Sequence, residues 1–172
     1  GKFHALSYAL RDQKPELFRN LEKECKEHFF NSSMSKLIIK GLVNLGTAVL
    51  DSYDPIQNSK EVIVFKRFLQ NLPDIFVSIL SPEKAEGYYV INHGDIHMRN
   101  LMFKYANSSQ PDVPTDLCMI DWQLARLGSP ASEIISFLCI STEKDLRKKY
   151  YDTLIQDYYN SLSSFLRELG SD

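Results

Sequence analysis

Two blocks of helical sequence enclose a short strand-like stretch, and this order restricts the folds that the chain can adopt. Apolar side chains recur at helical spacing over residues 3–80 and again over residues 131–169. Between these blocks, three short runs are rich in aromatic, β-branched or other apolar residues, at 88–91, 101–105 and 117–120. We therefore predict an α+β fold that is mainly helical and contains a few short strands.

Proline and turn residues mark where the predicted elements begin and end. Pro15 is placed to begin a second helix, because proline is well tolerated in a first helical turn. Pro73 is predicted to kink or break the helix over 59–80, since its ring removes a backbone donor. Residues 106–116 are rich in Asn, Ser and Pro, which predicts the loop of a β-hairpin. The last helix, over 142–169, is predicted to be long and open to interruption.

Length and composition indicate one ordinary globular domain. The 172 residues are 44% hydrophobic and 24% charged, with a net charge of −2 and no long basic run. Neither disorder nor a nucleic-acid partner is therefore expected. No apolar run approaches the roughly 20 residues needed to span a bilayer. The three cysteines are far apart and form no C-x-x-C pair, which favours a reducing compartment, and we expect a cytoplasmic location.

The most informative stretch is residues 91–100, which read Ile-Asn-His-Gly-Asp-Ile-His-Met-Arg-Asn. The stretch runs from a predicted strand into a turn, and Asn100 follows Asp95 by five residues. A second acid, Asp121, ends the strand predicted over 117–120. Polar groups at the ends of short apolar strands are held by a rigid base while their heads face solvent. These three side chains are therefore the candidate site.

Phosphoryl transfer needs this set of groups. One carboxylate orients the attacking hydroxyl and accepts its proton, while oxygen ligands hold the Mg²⁺ that neutralises charge on the phosphates. We assign Asp95 as the candidate base and Asn100 and Asp121 as the candidate metal ligands. The D-x-x-x-x-N spacing matches the catalytic loop of protein kinases, and Asp121 falls where the metal-binding Asp would follow.

Other interpretations of the same stretch stay open. Asp and Asn favour turns, because their side chains bond nearby backbone groups. His93 is interpreted as bracing the loop through backbone carbonyls. With His97 it also makes an H-x-x-x-H spacing, which would suit zinc only if both lay on one helical turn. Gln123 either lies near the metal or bonds the backbone.

Four segments carry a resemblance to a known family. Residues 93–100 and the Ile-Asp-Trp-Gln at 120–123 resemble the motifs of the aminoglycoside phosphotransferase and choline kinase group. Within that group they look most like the ecdysteroid kinase-like (CHK kinase-like) family. The opening at 1–7 and the Arg-Leu-Gly-Ser-Pro at 126–130 resemble the same family.

The resemblance implies a protein-kinase-like fold, of which residues 1–172 would form the mainly helical C-terminal lobe with a small catalytic-loop β-hairpin. It implies ATP and Mg²⁺ as cofactors and the hydroxyl of a small molecule as phosphate acceptor. Ecdysteroids are known acceptors for a few members. His93, Gly94 and Gln123 would support the catalytic loop. The identity of the substrate-binding residues and the oligomeric state stay open.

The chain departs from the family in three respects. Arg99 stands where members usually carry Asn, and Glu133 stands where they often carry Asp, so acceptor contacts or local support could differ. The glycines are too scattered for a G-x-G-x-x-G strand turn, and Gly41 and Gly46 lie in helical sequence followed by Thr-Ala rather than Lys-Ser. We therefore expect the N-terminal nucleotide lobe to be missing, and the chain to be a fragment of a longer two-lobed kinase.

Three functions follow from these patterns. The first is an ATP-dependent phosphotransferase that acts on the hydroxyl of a small molecule such as an ecdysteroid or another lipophilic alcohol, although this chain alone would be inactive without the nucleotide lobe. The acceptor would enter above Asp95, against helices over 31–80 and 131–169. The alternative is a catalytically silent, truncated kinase-like binding module. A metal-dependent phosphohydrolase would need more clustered His and Asp ligands than the sequence offers.

Overall fold

The computed structural model describes residues 1–25, 32–52, 59–105 and 112–171, which contain six α-helices and four short β-strands. The helices are α1 (Lys2–Gln13), α2 (Pro15–Glu24), α3 (Ser33–Ser52), α4 (Lys60–Leu80), α5 (Pro130–Ser141) and α6 (Lys144–Glu168). The strands are β1 (Val90–Asn92), β2 (Leu101–Lys104), β3 (Asp116–Met119) and β4 (Arg126–Gly128). The mainly helical α+β class is therefore as predicted.

The strands form two separate antiparallel pairs. In the first pair, β2 faces β3 with Leu101 opposite Met119, which confirms the predicted hairpin. Residues 106–111 of its predicted loop lie outside the described part of the chain. In the second pair, β1 faces β4 with Val90 opposite Gly128. Strand β4 was not predicted, because three residues are too short to show a period-two pattern.

Capping groups explain several helix ends. Pro15 occupies the first turn of α2, as predicted. The Ser59 hydroxyl accepts a hydrogen bond from the Val62 N–H at 3.2 Å and so caps α4. The Ser129 hydroxyl caps α5 in the same way, accepting from the Ala131 N–H at 3.3 Å. Each cap satisfies one backbone donor that the helix itself leaves unpaired.

Neither of the two helices with a predicted interruption is broken in the structure. Helix α4 continues through Pro73, so this residue does not break it. The lost backbone hydrogen bond is local, whereas Leu69, Leu72 and Leu80 are buried on both sides of the proline and hold the helix in one piece. Helix α6 also runs without a break. Tertiary packing commonly outweighs a single unfavourable residue in this manner.

Helix α1 is the central element of the fold. It packs against α2, α6 and β1, and its small residues Ala5 and Ala9 are buried at these contacts. The Ser7 hydroxyl accepts a hydrogen bond from the Ile91 N–H at 3.0 Å, which ties α1 to β1. Helices α3 and α4 pack against each other. None of the helices in the described ranges combines the length and the apolar character that a membrane crossing requires.

Candidate active site

The loop that follows β1 begins with a buried histidine and a glycine that no other residue could replace. His93 is fully buried. Gly94 has a φ of +88°, a left-handed conformation that favours glycine. A Cβ atom at this position would lie 1.8 Å from the Leu124 carbonyl oxygen. Gly94 therefore allows both the turn and the close approach of the neighbouring backbone.

Two oppositely charged side chains hold the backbone of Gly94. Its N–H donates to the Glu133 carboxylate, with 2.7 Å between the nitrogen and Oε2. Its carbonyl oxygen accepts from Arg126 Nη1 at 2.9 Å. Hydrogen bonds to charged partners are stronger than neutral ones. The turn before Asp95 is thus fixed from α5 on one side and from β4 on the other.

The backbone of Asp95 is held by two further side chains. The Asp95 N–H donates to His93 Nδ1 at 3.4 Å, and the Asp95 carbonyl oxygen accepts from Asn100 Nδ2 at 2.9 Å. All four polar backbone atoms of Gly94 and Asp95 therefore have side-chain partners. The Asp95 carboxylate itself is 39% exposed, so the position of a solvent-facing acid is set by its anchored backbone.

His93 connects this loop to the strand that leads to Asp121. His93 Nε2 lies 2.8 Å from the carbonyl oxygen of Ile120. Because Nδ1 accepts from the Asp95 N–H, Nε2 carries the proton and donates to that carbonyl. Both ring nitrogens of His93 are therefore engaged with backbone, which leaves neither for zinc. The imidazole also lies against the Trp122 ring, with 4.5 Å between ring centroids.

Asn100 and Asp121 are neighbours at one end of the β2–β3 hairpin. The Ile120 N–H donates to the Asn100 carbonyl oxygen at 3.0 Å, which places Asp121 one residue beyond that bond. Asp121 is exposed and has a φ of +66°, a strained value for a residue with a side chain. Gln123 follows on a short 3₁₀ turn and is also exposed. The structure thus joins Asp95 and Asn100 by a hydrogen bond and places Asp121 one residue beyond the backbone bond between Ile120 and Asn100.

The donor set at this end of the hairpin suits a hard cation. Because Asn100 Nδ2 donates to Asp95, its amide presents Oδ1 on the other side, and Asp121 supplies carboxylate oxygens. Amide and carboxylate oxygens are ligands that Mg²⁺ prefers. Within the described ranges, no three His, Cys, Asp or Glu side chains group closely enough to hold a metal ion. By donor chemistry, Asn100 and Asp121 are the candidate ligands for Mg²⁺ at this end of the hairpin.

A cleft of about 270 Å³ opens beside Asp95. Its walls come from the Asp95 loop, the second half of α4, helix α5 and one residue of β4: Phe76, Ile79, Leu80, Gly94, Asp95, Ile96, Arg126, Ser132, Glu133, Ser136 and Ile140. The walls are apolar on the α4 side and polar around Asp95. Such a cleft can hold an apolar molecule that presents a polar group to the carboxylate.

Arg99, one of the departures from the family pattern, lies to the side of this cleft. With His97 and Ser141 it lines a separate cavity of about 400 Å³. His97 Nδ1 accepts from the Arg99 N–H at 3.2 Å, and His97 Nε2 lies 3.8 Å from Asp95 Oδ1. His97 is thus within electrostatic reach of the candidate base. The Arg99 side chain is exposed.

Glu133, the other departure, ends a buried chain of hydrogen bonds. Its Oε1 lies 3.0 Å from His4 Nε2, and His4 Nδ1 lies 2.8 Å from the Tyr158 hydroxyl. A carboxylate can only accept, so His4 Nε2–H donates to Glu133, and in the neutral imidazole Nδ1 then accepts from the Tyr158 hydroxyl. We call these three residues the Tyr158–His4–Glu133 chain. It joins α6, α1 and α5 behind the Gly94 turn.

Burial and hydrogen bonding compete at this chain. Burial opposes ionisation of Glu133, but hydrogen bonds from His4 and from the Gly94 N–H outweigh it and hold the pKa of Glu133 below its ordinary value. Burial, reinforced by nearby negative charge including that of Glu133, raises the pKa of Tyr158. Glu133 is therefore ionised and Tyr158 neutral at physiological pH.

Sequence reasoning missed these supporting residues. The sequence marked Glu133 only as a departure from the family pattern, and it assigned no role to His4 or Tyr158. His4 is 129 residues from Glu133 and 154 from Tyr158, so no local spacing could have joined them. The one available signal for Glu133 was its place in the first turn of a helix, three residues after Pro130.

Comparisons with known proteins agree with the resemblance seen in the motifs. No curated protein and no solved structure matches the chain. A family model does match, over residues 1–171, and it describes the ecdysteroid kinase-like family. That match covers nearly the whole chain and confirms the family suggested by residues 93–130. The chain therefore belongs to the ecdysteroid kinase-like family, a family of kinase-like phosphotransferases.

Proposed function

We propose that this chain forms the acceptor-binding and catalytic lobe of an ATP-dependent kinase that phosphorylates a hydroxyl group of a small lipophilic alcohol. In this proposal residues 1–172 form one kinase-like lobe, and the protein that acts in the cell also has a nucleotide-binding lobe. The observation that carries the proposal is the anchored Asp95, which lines a cleft with an apolar wall and whose backbone carbonyl oxygen accepts a hydrogen bond from the Asn100 amide.

Asp95 acts as the base in the proposed reaction. The carboxylate accepts the proton of the acceptor hydroxyl as its oxygen forms a bond to the terminal phosphorus of ATP. The bond from that phosphorus to the bridging oxygen breaks, and ADP leaves with the electron pair. A base at a fixed position favours this step, because a reacting group held in the correct geometry avoids the entropic cost of orientation.

Asn100 and Asp121 would hold Mg²⁺, which would neutralise negative charge on the phosphates. The backbone carbonyl oxygen of Asn100 accepts from the Ile120 N–H. This bond fixes the backbone position of Asn100 relative to the residue that precedes Asp121. His93 supports both halves of the site, because its ring bonds the Asp95 N–H and the Ile120 carbonyl. Gln123 follows Asp121 by two residues, on a short 3₁₀ turn, and is proposed to support these ligands.

The cleft beside Asp95 supports an acceptor with an apolar body. Phe76, Ile79 and Leu80 line one wall, and Ile96 and Ile140 line others. Its volume of about 270 Å³ lies just below the range of about 300–1,000 Å³ that is typical of small-molecule pockets. It would therefore take the hydroxyl-bearing end of a larger alcohol and leave the remainder outside.

The test is phosphate transfer by the protein in its natural full length, with ATP, Mg²⁺ and a panel of sterols and other alcohols. Asp95→Asn removes the base and keeps the side-chain shape. We expect transfer to fall by about 10²–10⁴-fold, which is the usual contribution of a general base. Asp74→Asn serves as the matched control, because Asp74 is an exposed acid on α4, and it should leave the rate unchanged.

Two outcomes would contradict the proposal. One is a full-length protein that transfers phosphate to none of the alcohols and binds no ATP, which would favour a silent binding module. The other is an active protein in which Asp95→Asn behaves like Asp74→Asn. That result would leave the phosphotransferase assignment in place and remove Asp95 from the role of base.

A further inference from the structure

The Tyr158–His4–Glu133 chain is an unusual use of buried polar groups. The side chains of His4 and Glu133 are 6% and 10% exposed. Removing a carboxylate from water costs several kcal/mol, and a pair of apolar residues in the same place is often neutral or stabilising. The fold alone therefore gives little reason to bury this acid. What the acid does contact is Gly94 N–H, one residue before Asp95.

Both oxygens of Glu133 are committed in this arrangement. Oε2 accepts from Gly94, and Oε1 accepts from His4. His4 cannot rotate away from Glu133 without losing Tyr158, because its second ring nitrogen accepts from that hydroxyl at 2.8 Å. Tyr158 thus holds the His4 ring, and the His4 ring holds the Glu133 carboxylate. The other carboxylate oxygen accepts from the Gly94 N–H in the Asp95 loop.

The first turn of α1 reaches Asp95 by a second route. Phe3 lies edge-on to Trp122, with 4.8 Å between ring centroids. Trp122 in turn contacts His93 at 4.5 Å, and His93 Nδ1 accepts from the Asp95 N–H. Neighbouring residues of α1 therefore support the two consecutive peptide groups that precede the Asp95 carboxylate, one through Glu133 and the other through His93.

We propose that Glu133 and His4 are positioning residues that set the Asp95 carboxylate for proton acceptance, an inference that rests on the proposed function. They touch neither the acceptor hydroxyl nor the phosphate in this scheme. They act through the Gly94 peptide, and Tyr158 fixes the ring of His4. A displacement of about 1 Å at a reacting group can cost about 10²-fold in rate. Loss of the contacts that hold the Gly94 turn should therefore lower kcat and leave substrate binding nearly unchanged.

The experiment compares Glu133→Gln, Glu133→Asp and His4→Phe in the full-length protein. Glu133→Asp keeps the charge but shortens the side chain by one methylene, so it can no longer reach both Gly94 and His4. We expect kcat to fall by about 10–100-fold in Glu133→Asp and His4→Phe, with KM for ATP and for the acceptor within about twofold. Glu133→Gln keeps an oxygen for Gly94 and should retain more of the activity than Glu133→Asp. Glu61→Gln, at an exposed acid in the first turn of α4, is the control.

A second readout is independent of turnover. The Gly94 amide proton is donated to a carboxylate, so in NMR spectra it should be shifted downfield and exchange slowly with solvent. The chemical shift of this proton should change in Glu133→Asp and His4→Phe but not in Glu61→Gln. Unchanged resonances from α3 and α4 would show that each variant is folded. A ¹⁵N-labelled His4 should show the tautomer protonated at Nε2.

The outcomes separate this inference from the proposed function. A shifted Gly94 amide together with a lowered kcat and an unchanged KM supports the positioning role. An unmoved Gly94 amide overturns it, whatever the activity. An active enzyme in which the amide moves and kcat does not change also overturns it. A folded full-length wild type that transfers no phosphate and binds no ATP refutes the proposed function, and the positioning role falls with it even if the amide moves.

Discussion

The Asp95 loop and the α3–α4 pair are held in place by different kinds of interaction. At the loop, each polar backbone atom of Gly94 and Asp95 has a side-chain partner on another part of the chain or across the turn. At the α3–α4 pair, contact is between apolar side chains, and Gly46 approaches Leu69 closely. The Asp95 loop therefore depends on directional hydrogen bonds. The α3–α4 pair depends on the apolar area that it buries and on how its side-chain volumes fit together.

Exposure differs between the two regions as well. His93 and Glu133 are withdrawn from solvent at the loop. On the helix pair, Leu37, Leu45 and Val64 are 65%, 64% and 59% exposed. A contact built from apolar area tolerates changes of side chain if volume is kept, whereas a buried hydrogen-bonded group leaves an unpaired partner when it is lost. We therefore expect the loop to be intolerant of substitution and the helix pair to be tolerant.

The largest expected effect is that of Gly94→Ala. The new Cβ would overlap the Leu124 carbonyl oxygen, and the φ of +88° disfavours any side chain. We expect the free energy of unfolding to fall by about 4 kcal/mol or more, the range of strained and overpacked sites. Gly87→Ala is the matched control, because its φ is +86° with open space around it, and it should cost about 1 kcal/mol. Denaturant unfolding measures both.

If Gly94→Ala and Gly87→Ala lowered the free energy of unfolding equally, the Asp95 loop would not be the intolerant region that we expect. Such a result would mean that backbone conformation alone governs the turn. The close packing against Leu124 would then make no contribution of its own to stability.

An intermediate effect is expected for Glu133→Gln, and it should depend on pH. The folded-state pKa of Glu133 lies below its ordinary value of 4.5. The ionised carboxylate therefore contributes stability that is fully present above about pH 4.5 and is lost as the pH falls through the lower folded-state pKa. We expect the free energy of unfolding of wild type to exceed that of the variant by about 2 kcal/mol at neutral pH. This difference in stability should become smaller in acid.

Urea unfolding of both proteins between neutral pH and about pH 3 measures that gap. Because every other carboxyl group is common to the two proteins, their titration cancels in the difference. A gap that stays constant over this range would show that the charge of Glu133 adds nothing to the bonds with Gly94 and His4.

The smallest expected effect is on α3, where two glycines differ only in their surroundings. Gly41 has open space around it, so Gly41→Ala should stabilise the protein by about 1 kcal/mol through helix propensity. At Gly46, a Cβ would lie 2.7 Å from Leu69 Cδ2, and Gly46→Ala should lose most of this gain. Thermal unfolding of the two variants gives the comparison. A larger gain at Gly46 would show that the Leu69 side chain rotates away freely.

Much of the secondary structure could be predicted from sequence, because it depends on neighbours in the chain. Periodicity indicated the helices, and the polar run after 105 indicated the β2–β3 hairpin. The predicted break at Pro73 was wrong, since buried leucines on both sides of it hold α4 together. Strand β4 was missed because only its pairing with β1 makes it a strand.

In the candidate site too, residues close in the chain could be predicted and distant ones could not. Asp95 and Asn100 could be picked out because a short loop sets their spacing, and the structure joins them by a hydrogen bond. Arg126 was noted only as part of a motif, and its bond to the Gly94 carbonyl became visible in the fold. The support from α1 and α6 could not be predicted, because His4 is more than a hundred residues from both Glu133 and Tyr158.

The sequence by itself determined the helical blocks, the hairpin and the run from His93 to Asn100, because each arises from interactions among residues close in the chain. Tertiary structure alone decided which distant groups meet the Gly94 turn. Packing of α1 against α6 brings His4 to Tyr158, and the start of α5 places Glu133 beside both His4 and Gly94. The physical reason is that a hydrogen bond is specified by position in space, and positions in space follow from the packing of whole elements.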